Sequence, residues 1–151
     1  MNTKHLENGY AGIGLINPKF EHNVGAVMRA AGCYRASFVV TTGKRYHGSG
    51  ADTQSQIKRT PLFKTTNQLL KEFIPHDCVP VAVDLIEGAI PLQEYNHPKR
   101  AFYIFGPEDG TLGQSVTGWC RDVIYIPTAY CMNLAATVNV VLYDRLAKGG
   151  N

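Results

Sequence analysis

The sequence predicts an α/β fold, a parallel sheet flanked by helices. Short runs rich in Val, Ile, Phe and Tyr recur along the chain, each with the length of a buried strand. Segments with helical spacing of apolar residues lie between them, and that alternation is what a parallel sheet with crossover helices produces. The strand-like runs are GIGLI at 12–16, SFVVT at 37–41, VPVAVDL at 79–85, AFYIF at 101–105 and DVIYI at 122–126.

Helical patterns fall at about 24–33, 66–74, 112–120 and 133–147. Asn23 stands before the first as a candidate N-cap. Gly25, Ala26, Ala30, Ala31 and Gly32 make that helix unusually small-sided, so either the sheet or another chain approaches it closely. In the last helix Leu134, Val138, Val141 and Leu142 share one face. The stretch from Gly43 to Pro61 is glycine-bearing and polar, with only Tyr46, Ala51 and Ile57 as apolar content, and reads as a long loop.

At 151 residues the chain has the size of one domain, residues 1–151, without an internal repeat or low-complexity tail. Such a chain buries roughly 70% of the surface that its unfolded form exposes. Residues 148–151 alone read as dispensable.

Fifteen Lys and Arg against 12 Asp and Glu permit a nucleic-acid partner without requiring one. Their distribution says more. Lys44, Arg45, Lys58, Arg59 and Lys64 stand against the single acid Asp52 in one short segment, a patch suited either to a phosphate backbone or to plain solvation. Cys33, Cys78, Cys120 and Cys131 are too widely spaced for the paired cysteines of zinc or redox sites, and the five histidines form no HExxH pattern. No metal is expected. The start MNTKHLENGY lacks a signal-peptide core and no apolar run is long enough to span a membrane, so a cytoplasmic setting is expected.

Several nucleotide and hydrolase signatures are missing. Gly12 and Gly14 lie inside a strand rather than at the turn of a dinucleotide-binding GxGxxG. Gly43-Lys44 is followed by Arg45 and has no upstream P-loop glycine, and HGSGA at 47–51 lacks the GxSxG spacing of a nucleophile elbow. What remains is a pair of glycine-containing or irregular turns after predicted strands, FGPEDG at 105–110 and IPTAYCMN at 126–133. Ligands bind at the carboxyl ends of strands in open parallel sheets. Gly106 and Gly110 let the backbone approach a ligand closely, although two ordinary strand-to-helix turns would show the same spacing.

Taken with NPKFEHNVGAVMRAAG at 17–32, the segments YIFGPEDGTLG at 103–113 and IYIPTAYCMNLAATVNVVLYD at 124–144 resemble, in order and spacing, the three motifs of the SpoU-type RNA ribose methyltransferases of the SPOUT superfamily. The resemblance spans nearly the whole chain. It implies a carboxyl-terminal trefoil knot, one of the rare exceptions to unknotted topology, and S-adenosylmethionine as cofactor, cradled by the two loops. It assigns Asn23 and Arg29 to the polar pair facing RNA, Glu108 to the acid of the second motif and Asn133 to the amide of the third. Val83, Gly106, Ile126, Cys131, Met132 and Leu134 fall where the family holds the methyl donor. Cys131 departs from the Ser common there, and a thiol is the weaker hydrogen-bond donor.

The implied reaction is methyl transfer to a ribose 2'-hydroxyl, which needs positioning and stabilisation of developing negative charge. Arg29, whose guanidinium keeps its proton, fits a cation that orients ribose or phosphate. Glu108 fits either a proton acceptor or a brace for Asn23 and Arg29. The resemblance favours tRNA as substrate, since GPE at 106–108 and MNL at 132–134 look like the branch acting on the wobble nucleotide; rRNA is the alternative. It also implies a homodimer whose sites draw on both subunits. Two other classes stay open: an inactive RNA-binding relative, for which Cys131 is the hint, and an unrelated α/β protein that binds another nucleotide or metabolite.

Overall fold

The protein is described from a computed structural model covering residues 9–48 and 50–149. His5, Ser49 of HGSGA and the final Gly150 and Asn151 lie outside the described residues.

Tyr10–Leu15 forms β1, buried throughout after Tyr10, as a strand covered on both faces must be. It pairs in parallel with β2 (Val39–Thr42) on one side and β6 (Arg100–Phe105) on the other. Outside β2 lies β3 (Leu62–Thr65); outside β6 lie β4 (Val79–Val83), β7 (Asp122–Tyr125) and β5 (Ile90–Pro91). All seven are parallel, in the order β3-β2-β1-β6-β4-β7-β5. β3 and β5 carry no strand signal in the sequence: β3 is short with a half-exposed pattern, and β5 is only two residues ending in Pro91.

One face of the sheet is covered by α1 (Glu21–Cys33), α2 (Ala51–Ile57) and α4 (Leu134–Ala147). The other carries a second core around Phe38, Leu70, Phe102 and Leu112. Gly12 and Gly14 face that second core. A Cβ on either would come within 2.9 and 2.8 Å of the Phe102 ring, so these glycines make room for the Phe38–Phe102 pair, whose centroids are 5.7 Å apart.

The helix boundaries correct the sequence reading in four places. α1 begins at Glu21 with Phe20 as its N-cap, and Asn23 lies inside the first turn with its side chain committed elsewhere. The stretch 66–74 holds only a 3-10 turn, Leu70–Phe73, whose Leu70 and Phe73 pack with Ile74 into the second core and which Pro75 prevents from continuing. The stretch 112–120 narrows to α3 (Gln114–Thr117), entered through Gly113 at φ 74. The loop expected from 43 to 61 contains α2, which packs on the small residues of α1.

Ala30 and Ala31 are buried in the main core. The small side of α1 therefore lets α2, α4 and the sheet approach within this chain. Lys148 is not dispensable either: its Nζ donates to the carbonyls of Leu92 (2.6 Å) and Tyr95 (2.9 Å) and pairs with Asp144.

Candidate active site

The carboxyl ends of β4, β6 and β7 open into a cavity of about 580 Å³. Val83, Gly106, Ile126, Cys131, Met132 and Leu134 all line it, so the structure gathers in one place every residue assigned to the cofactor from the sequence. Gly106 is there for want of space: a Cβ would stand 3.3 Å from the backbone N of Leu112 and 3.4 Å from the carbonyl carbon of Thr111. Asp84, directly after β4, accepts from Leu112 N at 3.4 Å and closes the loop after β6 against the strand end. Asp84, Leu85 and Tyr130 also line the cavity and were missed. An acid ending an apolar strand run was the available signal for Asp84; Leu85 and Tyr130, 76% and 88% exposed, had none.

Beside the cavity, Glu108 collects four hydrogen bonds. Its Oε1 and Oε2 accept from Lys19 N at 3.0 and 3.3 Å, and Oε2 also accepts from Phe20 N at 3.1 Å and Asn23 Nδ2 at 2.9 Å. Asn23 Oδ1 accepts in turn from Asn133 Nδ2 at 3.0 Å. Asn133 is the N-cap of α4, its Oδ1 accepting from Ala135 N at 2.9 Å and Ala136 N at 3.2 Å. Three of the four expected catalytic residues thus form one continuous chain from the first turn of α4 to a carboxylate. Partial desolvation pushes the Glu108 carboxyl up, but the Asn23 amide and the backbone N–H groups of its own loop, Lys19 and Phe20 outweigh it and hold it below the usual carboxylate range.

Arg29 lies on the exposed side of α1 whereas Asn23 is 4% exposed. Six residues of helix put the two about 9 Å apart along the axis and about 120° apart around it. They do not share a face.

The basic segment also needs correction. Arg45 Nη1 and Nη2 grip Asp109 at 2.7 and 3.0 Å, so one of the five cations is matched by an acid outside the segment. Lys64 Nζ donates to His47 O at 2.6 Å. Lys58 and Arg59 remain exposed at the end of α2. Among the described residues no three or more His, Cys, Asp or Glu side chains stand together to hold a metal ion, and no helix is long and apolar enough to cross a membrane.

A parallel sheet with a ligand-sized cavity at its strand ends, edged by a Glu-Asn-Asn chain, defines an α/β protein whose site is built from the loops after three strands and the starts of two helices. Residues 11–143 match the SpoU rRNA Methylase family, and the chain belongs to that family. It is 24% identical over 136 residues to the 23S rRNA (guanosine-2'-O-)-methyltransferase RlmB of Acinetobacter baylyi, an alignment covering 82% of this chain and 54% of that protein. The chain therefore spans about half the length of this curated relative.

Among solved structures, the SpoU methyltransferase AviRb from Streptomyces viridochromogenes in complex with the cofactor AdoMet superposes with a TM-score of 0.83 at 17% identity, over 95% of this chain and 60% of that one. A structure described as giving insight into the 2-OH methylation of C/U34 on tRNA superposes with a TM-score of 0.80 at 20% identity, over 95% of this chain and 96% of that one.

Proposed function

We propose that the protein is an S-adenosylmethionine-dependent methyltransferase acting on a ribose 2'-hydroxyl of RNA, with tRNA as the favoured substrate. The observation that carries this reading is the meeting of the six-residue cofactor cradle with the Glu108–Asn23–Asn133 chain at one edge of the sheet. The residues fit the cofactor: the cavity lies within the usual range for small-molecule sites, Val83, Ile126 and Leu134 give it apolar walls, and at Gly106 the backbone is bare. When bound there, S-adenosylmethionine supplies an electrophilic methyl group.

The chain's own residues do the rest. Asn23 and Asn133, locked to each other, present a fixed polar edge beside the cavity. Arg29, exposed and on a different face of α1 from Asn23, would reach a site across the proposed dimer, where it orients an incoming phosphate or ribose and stabilises negative charge developing on the 2'-oxygen. Glu108 is better placed as a brace than as a proton acceptor, because its oxygens already hold three donor groups and its pKa is depressed.

The whole-length likeness to the structure concerned with C/U34 of tRNA supports tRNA. The RlmB relative supports rRNA as the second reading. Homodimerisation belongs to the same proposal and is supported by the outer face of α4, where Val140, Tyr143 and Leu146 are 38%, 60% and 46% exposed. A knotted carboxyl-terminal half is supported by the strand order β4-β7-β5, with the last strand inserted between two earlier ones. Four free cysteines are compatible with a reducing, cytoplasmic setting.

Incubation with radiolabelled S-adenosylmethionine and either bulk tRNA or bulk rRNA tests the reading. Label in tRNA as 2'-O-methylnucleoside supports it, label in rRNA alone moves it to the second reading, and a protein that binds no donor in calorimetry sinks it.

A further inference from the structure

Arg45 lies between β2 and α2, and its guanidinium bonds to two other strand ends. Besides the bidentate grip on Asp109, in the loop after β6, Nη2 donates to the carbonyl of Asn17, in the loop after β1, at 2.6 Å. β2, β1 and β6 are neighbours in the sheet, so Arg45 reaches from one strand end across the second to the third. The junction is tight. Asn17 N donates to Thr42 Oγ1 at 3.0 Å, Asn17 itself has φ 46, and a Cβ on Gly43 would collide with Asn17 Oδ1.

These contacts close a ring. Asp109 follows Glu108 in the chain; Glu108 binds the backbone N–H groups of Lys19 and Phe20; Asn17 lies two residues before Lys19; and Arg45 joins Asn17 back to Asp109. The ion pair is partly exposed, 32% for Arg45 and 48% for Asp109, and adds little to global stability. Its fork geometry nevertheless fixes direction as well as distance.

We propose that Arg45 is a positioning residue for Glu108: by clamping Asp109 to the loop after β1, it sets where the Glu108 carboxylate meets the Lys19 and Phe20 amides and Asn23. This rests on the function proposed above for its consequence in catalysis, but not for the positioning itself. It removes Arg45 from the RNA-facing cations suggested by the sequence. A lysine, carrying the charge without the planar fork, does not replace it.

The experiment compares wild type with Arg45→Lys, Asp109→Asn and the double variant. Amide hydrogen exchange of the free protein is read at Lys19 and Phe20, with Ile13 in β1 as the internal reference. Protection at Lys19 and Phe20 is expected to fall about 10-fold or more in each variant while Ile13 is unchanged. With RNA, kcat is expected to fall about 10-fold or more at nearly constant KM, in line with the cost of small misplacements at a site, and the double variant to be no worse than either single one. Unchanged protection at Lys19 and Phe20 in both single variants overturns the proposal whatever the activity. So does an Arg45→Lys variant with wild-type kcat together with an Asp109→Asn variant that binds RNA more tightly, since that pair of results makes Arg45 a phosphate contact. If wild type transfers no methyl group to any RNA, the functional reading fails while the exchange measurement still decides the positioning.

Discussion

The side-chain amides of Asn23 and Asn133, 110 residues apart, are hydrogen-bonded at 3.0 Å, and neither can be turned round. Backbone N–H groups only donate, so Asn133 must offer Oδ1 to Ala135 and Ala136 and its NH2 to Asn23. An ionised carboxylate only accepts, so Asn23 must point its NH2 at Glu108 and its Oδ1 at Asn133. The direction of every bond is settled from both ends, and the positive end of α4 is linked through two amides to a negative charge.

Asn133→Ala removes both the cap of α4 and the donor to Asn23. Loss of such a cap costs about 1 kcal/mol, and methyl transfer should fall further than that destabilisation explains. In Asn23→Ala/Asn133→Ala the two losses should overlap rather than add, because each single change breaks the same link. Denaturation and steady-state kinetics on the four proteins measure the overlap; additive effects on rate would separate the two residues.

Glu108 titrates below its ordinary value of 4.5, so its contribution to stability is complete above about pH 4.5 and disappears as the pH falls through the lower folded value. Asn23→Ala removes the first of the interactions that lower it and should move the Glu108 pKa upward. A carboxyl-carbon NMR titration of both proteins reads this directly, and an unchanged or lower value in the variant contradicts the assignment.

Gly106→Val should weaken or abolish binding of S-adenosylmethionine. The new side chain would meet the backbone at Thr111 and Leu112, which cannot rotate aside as a flexible side chain would. Calorimetry on a variant with native circular dichroism checks it; wild-type affinity would take the loop after β6 out of the cofactor site.

Arg29→Ala should lower the transfer rate by about 100-fold or more, the range seen when a donor to developing oxyanion charge is lost. Its exposed position predicts little change in melting temperature and little change in donor affinity. Neutralising Lys58 and Arg59 should instead weaken RNA binding and flatten its salt dependence with kcat preserved. The two outcomes exchanged would mean that the cations at the end of α2 serve the chemistry and Arg29 the docking.

Tyr143→Glu places a charge on the outer apolar face of α4 and should convert a dimer into a species of about one chain mass, 16.6 kDa, by light scattering. A substitution at Ala30 would not report on assembly, since at 3% exposure a larger residue there disrupts the core first. A wild-type protein already of single-chain mass at micromolar concentration would end the dimer proposal.

The five strands that bear on the site were legible because burial on both faces writes continuous apolar runs, and their ends fell within a few residues of the observed ones. The motif residues around the cavity were named through the family resemblance, and the structure brings the six of them assigned to the cofactor to one cavity. What stayed hidden follows from pairing between distant segments. α2 has too few apolar residues to show a periodic face and is held largely by α1. Asn23 has the residue type of a cap, and only the approach of Glu108 and Asn133 shows why its side chain turns inward. Arg45 counts as positive charge in one dimension and becomes half of an ion pair once β6 lies two strands away from β2.

Arg145 bears on the order of assembly. It is 2% exposed, and its guanidinium donates to the carbonyls of Pro98 and Lys99, each at 2.7 Å, and to the Tyr103 hydroxyl at 3.1 Å. Before those acceptors converge at the start of β6, sinking this charge beneath α4 would leave it without the bonds that offset its dehydration. On this reading the last helix docks onto a partly built sheet, so the long-range Asn23 link it carries should be among the late contacts to form, whereas the Asn133 cap is local to the helix. A nascent chain would hold the β1–β6 pair before it possesses a site.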